Sequence, residues 1–177
     1  VLGDHELGEM GSGLRVMGVD QGRVLHVVVL EGRSGSYRVI HLGTVEEFSE
    51  VGRLMGRYGV ASCVIDGLPN QHSARELARA HPGRVALCYY VEGRTAEADL
   101  RPAQDFLSVD RTEALDRMVT AVLRGETLFP RRLGPEVEEA IRHLTALAKV
   151  VQEDESTGRQ VARYLRTGPD HYAHALS

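Results

Sequence analysis

Three β-branched runs joined by turns of a few residues, followed by alternation of helix and strand, leave few folds open to this chain. Leu14-Arg15-Val16-Met17-Gly18-Val19-Asp20 alternates and ends on an acid. Val24 to Leu30 is nearly continuous in β-formers, and Tyr37 to Leu42 is a third run. The intervening Gln21-Gly22 and Gly32 to Gly35 are turn signals, short enough to require antiparallel pairing of neighbours. The pattern then changes. Thr44-Val45-Glu46-Glu47 has the Thr-x-x-Glu spacing of a capping box and predicts a helix reaching Tyr58. Val60 to Asp66 is an apolar strand that again ends on an acid, Pro69 to His81 has helical spacing, and Val85 to Tyr90 is a fifth strand. Strands separated by helices return by crossovers and pair in parallel. The expected architecture is α/β, with a mixed sheet antiparallel at strands one to three, parallel beyond, and flanked by helices.

The second half adds a short strand at Leu107-Ser108-Val109 and helices over Arg111 to Arg124 and Pro135 to Leu147. Val150 to Glu155 and Arg159 to Arg166 bracket Ser156-Thr157-Gly158 as a C-terminal β-hairpin, and Pro169 suits the first turn of a last helix. Residues 1–13 carry four Gly and no periodicity, so the expected division is a linker or tail at 1–13 and one domain at 14–177. An opening without Met is expected for a piece of a longer protein. At 177 residues with 42% hydrophobic and 26% charged side chains, the composition fits one sizeable core and excludes collagenous, disordered and disulfide-scaffold classes. No apolar run approaches the roughly 20 residues of a membrane span. Cys63 and Cys88 lie in strand runs and are expected to be reduced core residues. The net charge of −4 argues against a high-affinity nucleic-acid binder, so any DNA binding must rest on a local basic patch.

Two strand-end acids, Asp20 and Asp66, would emerge at the same edge of a parallel sheet, where α/β folds collect ligands. Asp170 begins the last helix. Three converging carboxylates repel one another unless a cation lies between them, and oxygen ligands suit Mg²⁺ or Mn²⁺. Two such ions about 3.5–4 Å apart activate water and stabilise a leaving oxygen in phosphodiester cleavage. The plain alternative for each Asp is a turn residue or helix cap. Asp170 and His174 share a helix face at i,i+4 and could hold a metal or a phosphate together, while His171 points roughly 100° away.

Met17-Gly18-Val19-Asp20-Gln21-Gly22, Val64-Ile65-Asp66-Gly67-Leu68-Pro69-Asn70, Val109-Asp110-Arg111-Thr112 and Gly168-Pro169-Asp170-His171-Tyr172-Ala173-His174-Ala175 together resemble the nuclease domain of tailed-bacteriophage large terminase subunits. The resemblance runs in order over residues 14 to 176. It implies a ribonuclease H-like fold and a metal-dependent endonuclease that cuts concatemeric double-stranded DNA, with Asp20, Asp66 and Asp170 binding two divalent ions. It further implies the portal and the small terminase subunit as partners, the host cytoplasm as location, and an N-terminal ATPase. The chain has no Gly-x-x-x-x-Gly-Lys-Ser/Thr loop, so that ATPase would be absent and residues 1–13 would connect to it. Other readings are a resolvase or transposase core, which shares this fold, and a module that docks on the motor without metal chemistry.

Around these acids, Asp110 is expected either to cap a helix, with Glu113 three residues on, or to support the metal site from behind, while Arg111 is a candidate DNA contact. His171 and His174 are candidate partners of the third acid. Arg159, Arg163 and Arg166 form the best local DNA patch, with Arg159 and Arg163 on one strand face and Arg166 on the other. Asn70 and Gln71 could meet a phosphate. One of Tyr89 and Tyr90 is expected inside and one outside. His26 and His41 are expected to be ordinary half-buried side chains far from the acids.

Overall fold

A computed structural model describes residues 1–91, 99–101, 106–153, 158 and 160–177. β1 (Arg15–Gln21), β2 (Leu25–Arg33) and β3 (Ser36–Val45) form the expected antiparallel meander. β4 (Ser62–Asp66), β5 (Val85–Val91) and β7 (Phe106–Asp110) add in parallel on the other side of β1, and β6 (Asp99–Arg101) closes that edge antiparallel to β7. β8 (Thr127–Leu128), absent from the sequence reading because it is two residues long, pairs with β3. The sheet order is β6-β7-β5-β4-β1-β2-β3-β8, a ribonuclease H-like arrangement. β9 (Leu147–Glu153) and β10 (Gln160–Arg166) form the separate C-terminal hairpin.

Alternation along the strands divides the core between the two faces of the sheet. Met17, Val19, Val27, Ile65 and Leu87 pack beneath α1 (Phe48–Tyr58) and α2 (Gln71–Ala80), whose Val51, Met55 and Leu77 complete that layer. Val28, Val39 and Leu42 face α4 (Pro135–Thr145) and α5 (His171–Leu176). α3 (Arg111–Leu123) carries Leu115 and Met118 against Tyr164 of β10 and Ala173 of α5, so the hairpin and the last helix share one small core. Cys63 and Cys88 are free and buried, with thiols pushed up to about 12 by burial, as expected of inert core cysteines.

α1 starts later than the Thr44 capping box predicts. Thr44 remains in β3, paired with His26. The helix is instead capped from Glu47, and the Glu50 carboxylate accepts from the Glu46 and Glu47 N–H groups, both at 3.2 Å. Sheet pairing thus outcompeted a local signal. The first thirteen residues lie against the body of the domain. Gly3 N–H donates to Phe129 O and Gly8 N–H to Ile40 O, both at 2.7 Å. His5 is fully buried, with Nε2 2.9 Å from Val39 O. Gly11 N–H reaches the Glu31 carboxylate, which is 1% exposed and ion-paired with Arg38 and Arg15.

α5 packs closely on the backbone of β1. A Cβ on Gly18 would come within 1.8 Å of Ala175 O. The helix therefore rests directly on the strand backbone, and any side chain at this position would lift it. Gly18→Ala is expected to lower the unfolding free energy by about 3 kcal/mol, at the upper end for overpacking, as a fall in the urea midpoint followed by circular dichroism.

Candidate active site

β1 and β4 run parallel with Val19 opposite Ile65, so Asp20 and Asp66 follow in step at the carboxyl edge of the sheet. Asp20 is 6% exposed. Asp66 ends its strand, and its Oδ1 accepts from Leu68 N–H at 3.1 Å. Gln21, also buried, locks the two strand ends together. Its amide donates to Asp66 O and accepts from Asn70 N–H at 3.0 Å. Asp170 stands at the N-terminus of α5, yet its side chain makes no capping bond. The carboxylate, 4% exposed, turns instead toward His174, Arg111 and Arg166.

The two histidines of α5 divide between the acids. His174 Nε2 lies 3.3 Å from Asp170 Oδ2, the expected i,i+4 pair. His171 Nδ1 lies 2.8 Å from Asp20 Oδ2, so the residue considered as an alternative partner of Asp170 serves the first acid. His26 corrects the sequence reading. It is paired across the ladder with Asp20, and its ring stacks on His171 with centroids 4.4 Å apart and planes 13° from parallel. His143 and Tyr172 close around both rings. Burial, with His171 and His143 nearby, lowers the His26 pKa to about 4, so this backing is neutral at pH 7. Asp20, His26 and His171 bring three donor atoms within 4.8 Å of one another. The parallel rings direct their in-plane lone pairs side by side rather than to one point. The trio therefore braces Asp20 rather than forming a cage.

The three carboxyls are electrostatically unequal. Burial raises Asp20 above the ordinary carboxylate range, with His171 opposing and Asp170 adding to the rise. Asp66 is raised by burial, against the Leu68 N–H, and further by the charge of Asp20. Asp170 is lowered. Burial alone would raise it, but His174, Arg166 and Arg111 together outweigh that. Asp20 is thus a buried and Asp66 a half-buried acid whose charged forms disfavour one another, the condition a divalent cation relieves. Their oxygen donors, with Asp170 on the other side of Asp20, fit Mg²⁺ or Mn²⁺. A cavity of about 400 Å³ opens on Asp66, Asp20, Tyr90 and His174, and another of about 290 Å³ on Asp20, Asp170, Arg111 and His174. Asp20 and His174 stand between the two.

Of the expected basic patch, Arg163 and Arg166 are exposed on β10, and Arg166 Nη1 lies 3.9 Å from Asp170 Oδ1. Arg159 lies outside the described residues. Asp110 caps α3 by accepting from Glu113 N–H at 2.9 Å. The adjoining Arg111 is what reaches the acids, with Nη2 3.4 Å from Asp170 Oδ2 and 3.2 Å from His174 Nε2. Asn70 caps α2 through Ser73 N–H, and Gln71 donates to Tyr89 OH at 2.6 Å, so both are engaged in structural bonds. Tyr89 and Tyr90 face opposite sides, both half-buried. Tyr90 is the one on the acid side, 2.8 Å from Ser177 Oγ. His41 contacts Tyr58 OH, away from the acids, as expected.

Among solved structures, the large terminase subunit of bacteriophage Sf6, a mutant chain with calcium, superposes with a TM-score of 0.62 at 16% identity, over 96% of this chain and 88% of that one. The chain has the fold of a large terminase nuclease domain. The Sf6 nuclease domain with manganese and β-thujaplicinol matches at a TM-score of 0.60, 15% identity and the same coverage of 96% and 88%. The large terminase of the thermophilic bacteriophage D6E with ATP-γ-S matches at 0.59 and 13% identity, over 97% of this chain and 41% of that one. The chain thus spans about two-fifths of the D6E protein. No family model and no curated protein matches the sequence. Among the described residues, no helix is long and apolar enough to cross a membrane.

The raised Asp66 pKa has a sign that can be tested without metal. A carboxyl raised on folding destabilises the native state above its folded pKa and ceases to do so once it is protonated. Asp66→Asn, which keeps an oxygen for Leu68 N–H, is expected to raise the metal-free melting temperature at pH 7 by about 2–5 °C. The gain should vanish as pH falls through the ordinary carboxylate range, as read by calorimetry in EDTA.

Proposed function

We propose that this chain is the metal-dependent endonuclease domain of a viral DNA-packaging large terminase, cleaving double-stranded DNA by phosphodiester hydrolysis at a pair of divalent ions. The observation that carries this reading is that Asp20, at the carboxyl end of β1, borders two cavities, one shared with Asp66 of β4 and the other with Asp170 at the N-terminus of α5. Partial or full burial raises Asp20 and Asp66 above the usual carboxylate range, a cost that a bound cation would offset. Mn²⁺ and Ca²⁺ accompany the Sf6 structures, which supports a divalent centre in proteins of this fold.

Asp20, Asp66 and Asp170 would hold the ions, and His174 stands next to that set through Asp170. When bound, such ions lower the pKa of a ligated water and stabilise the leaving 3′ oxygen. The chain's own residues do the rest. His171, backed by the neutral His26 ring, fixes the orientation of the Asp20 carboxylate. Gln21 holds the ends of β1 and β4 in step. Asp110 acts at one remove, by fixing the start of the helix from which Arg111 projects. Arg166, beside Asp170, and Arg163 on the same strand are exposed cations that would meet the DNA backbone, giving affinity without sequence readout. With a net charge of −4, binding of the isolated chain would be weak and salt-sensitive. The ATPase, the portal and the small terminase subunit belong to the assembly in which this domain would work, inside the host cell.

Supercoiled plasmid incubated with Mn²⁺ or Mg²⁺ is expected to be nicked and then cut to fragments without fixed ends, with no cutting in EDTA. Asp66→Asn and Asp20→Asn should each lose at least about a hundredfold in rate, in line with loss of a metal-held transition-state interaction. Cutting by the variants at wild-type rate would refute the assignment. Preference for branched DNA would favour a resolvase.

A further inference from the structure

The geometry points to Arg111 as the resident counter-ion of Asp170, which a divalent cation must displace to use that carboxylate. This rests on the metal-nuclease reading above and concerns how the centre is loaded. The guanidinium is fixed from both ends. Arg111 is the first residue of α3, held by the Asp110 cap, and its Nη1 donates to Tyr164 O at 3.0 Å. The fork therefore cannot drift, and its other arm lies against Asp170 Oδ2 and His174 Nε2. Its side chain is 24% exposed, against 5% for Asp170, so the cation closes the carboxylate off from the open side.

Two further observations set this contact apart. First, the acids differ in what faces them. Among the described residues, Asp20 and Asp66 have no arginine or lysine within ion-pair distance, whereas Asp170 has two arginines. Arg166 is the weaker of these, longer at 3.9 Å and 66% exposed. Second, His174 Nε2 lies near both Asp170 and the Arg111 donor, but one ring nitrogen either donates or accepts. Arg111 and Asp170 therefore compete for the one nitrogen. Removing Arg111 frees that nitrogen to donate to the carboxylate or to offer its lone pair. Arg111 thus competes at both groups, and the Asp20–Asp66 pair is the part of the centre open to a first ion.

Isothermal titration of the chain with Mn²⁺ tests this. Arg111→Ala is expected to bind Mn²⁺ about ten- to hundredfold more tightly at the weaker step, the range of one charge-assisted contact removed. Arg111→Gln, whose amide still reaches toward Tyr164 O, should show the same gain and guards against loss of folding in the Ala variant. Arg166→Ala should shift affinity by less, and adding Asp170→Asn to Arg111→Ala should abolish the gain. A merely structural role would lower the melting temperature without tightening metal binding. Wild-type or weaker Mn²⁺ affinity in folded Arg111→Gln, with binding intact in the wild type, overturns the counter-ion assignment alone. No Mn²⁺ binding by any variant overturns the metal centre itself, and this inference with it.

Discussion

Docking of the six-residue α5 on the bare backbone of β1 is the contact on which the site depends. A helix of that length has no stability of its own in water. It persists here because Gly18 lets Ala175 approach the strand, Ala173 fits against α3 and the hairpin, and Tyr172 fills the layer under α4. Each is a small or flat group where a larger one would lift the helix. The consequence is chemical, because α5 carries Asp170, His171 and His174 in one and a half turns. Only with the helix seated on Gly18 does His171 meet Asp20 and Asp170 stand near the Asp20 carboxyl.

The acids brought together in this way are not equivalent, and the asymmetry follows from what each element presents. The strand ends desolvate their carboxyls, so Asp20 and Asp66 sit above the ordinary carboxylate range. His174 of α5, joined by Arg166 of β10 and Arg111 of α3, holds Asp170 below it. Glu31, at the opposite end of β2, shows the alternative outcome for a buried acid. Burial would raise it, but Arg38, Gly11 N–H and Arg15 surround it and hold it charged. One acid of this fold is thus neutralised by arginines, while Asp20 and Asp66 have no arginine or lysine at ion-pair distance among the described residues.

Much of this was legible in the sequence. Short turns between Asp20 and Val24 and between Gly32 and Ser36 dictated the meander, and helices between later strands dictated parallel pairing. Parallel pairing then made Asp20 and Asp66 neighbours, and the Asp170–His174 spacing gave their contact. What stayed hidden depends on tertiary register. His26 looked remote because it lies on the next strand, yet an antiparallel ladder places it opposite Asp20. Arg111 follows a capping aspartate, and nothing local shows that its fork spans from Tyr164 O to Asp170. Thr44 carried a capping pattern that lost to strand pairing with His26. The Gly-rich opening lacks periodicity because it is held by backbone bonds to Phe129 and Ile40 and by the single buried His5 side chain, which form no repeating pattern.

The central claim is that carboxylates from β1, β4 and α5 form one metal centre. Anomalous diffraction from crystals of this chain soaked in Mn²⁺ tests it most directly. The account predicts peaks bounded by Asp20, Asp66 and Asp170, with the Arg111 guanidinium withdrawn from Asp170 when the site beside it is filled. A peak held by Asp20, His26 and His171 with Asp66 unligated, or no peak among the three acids at saturating Mn²⁺, would contradict it.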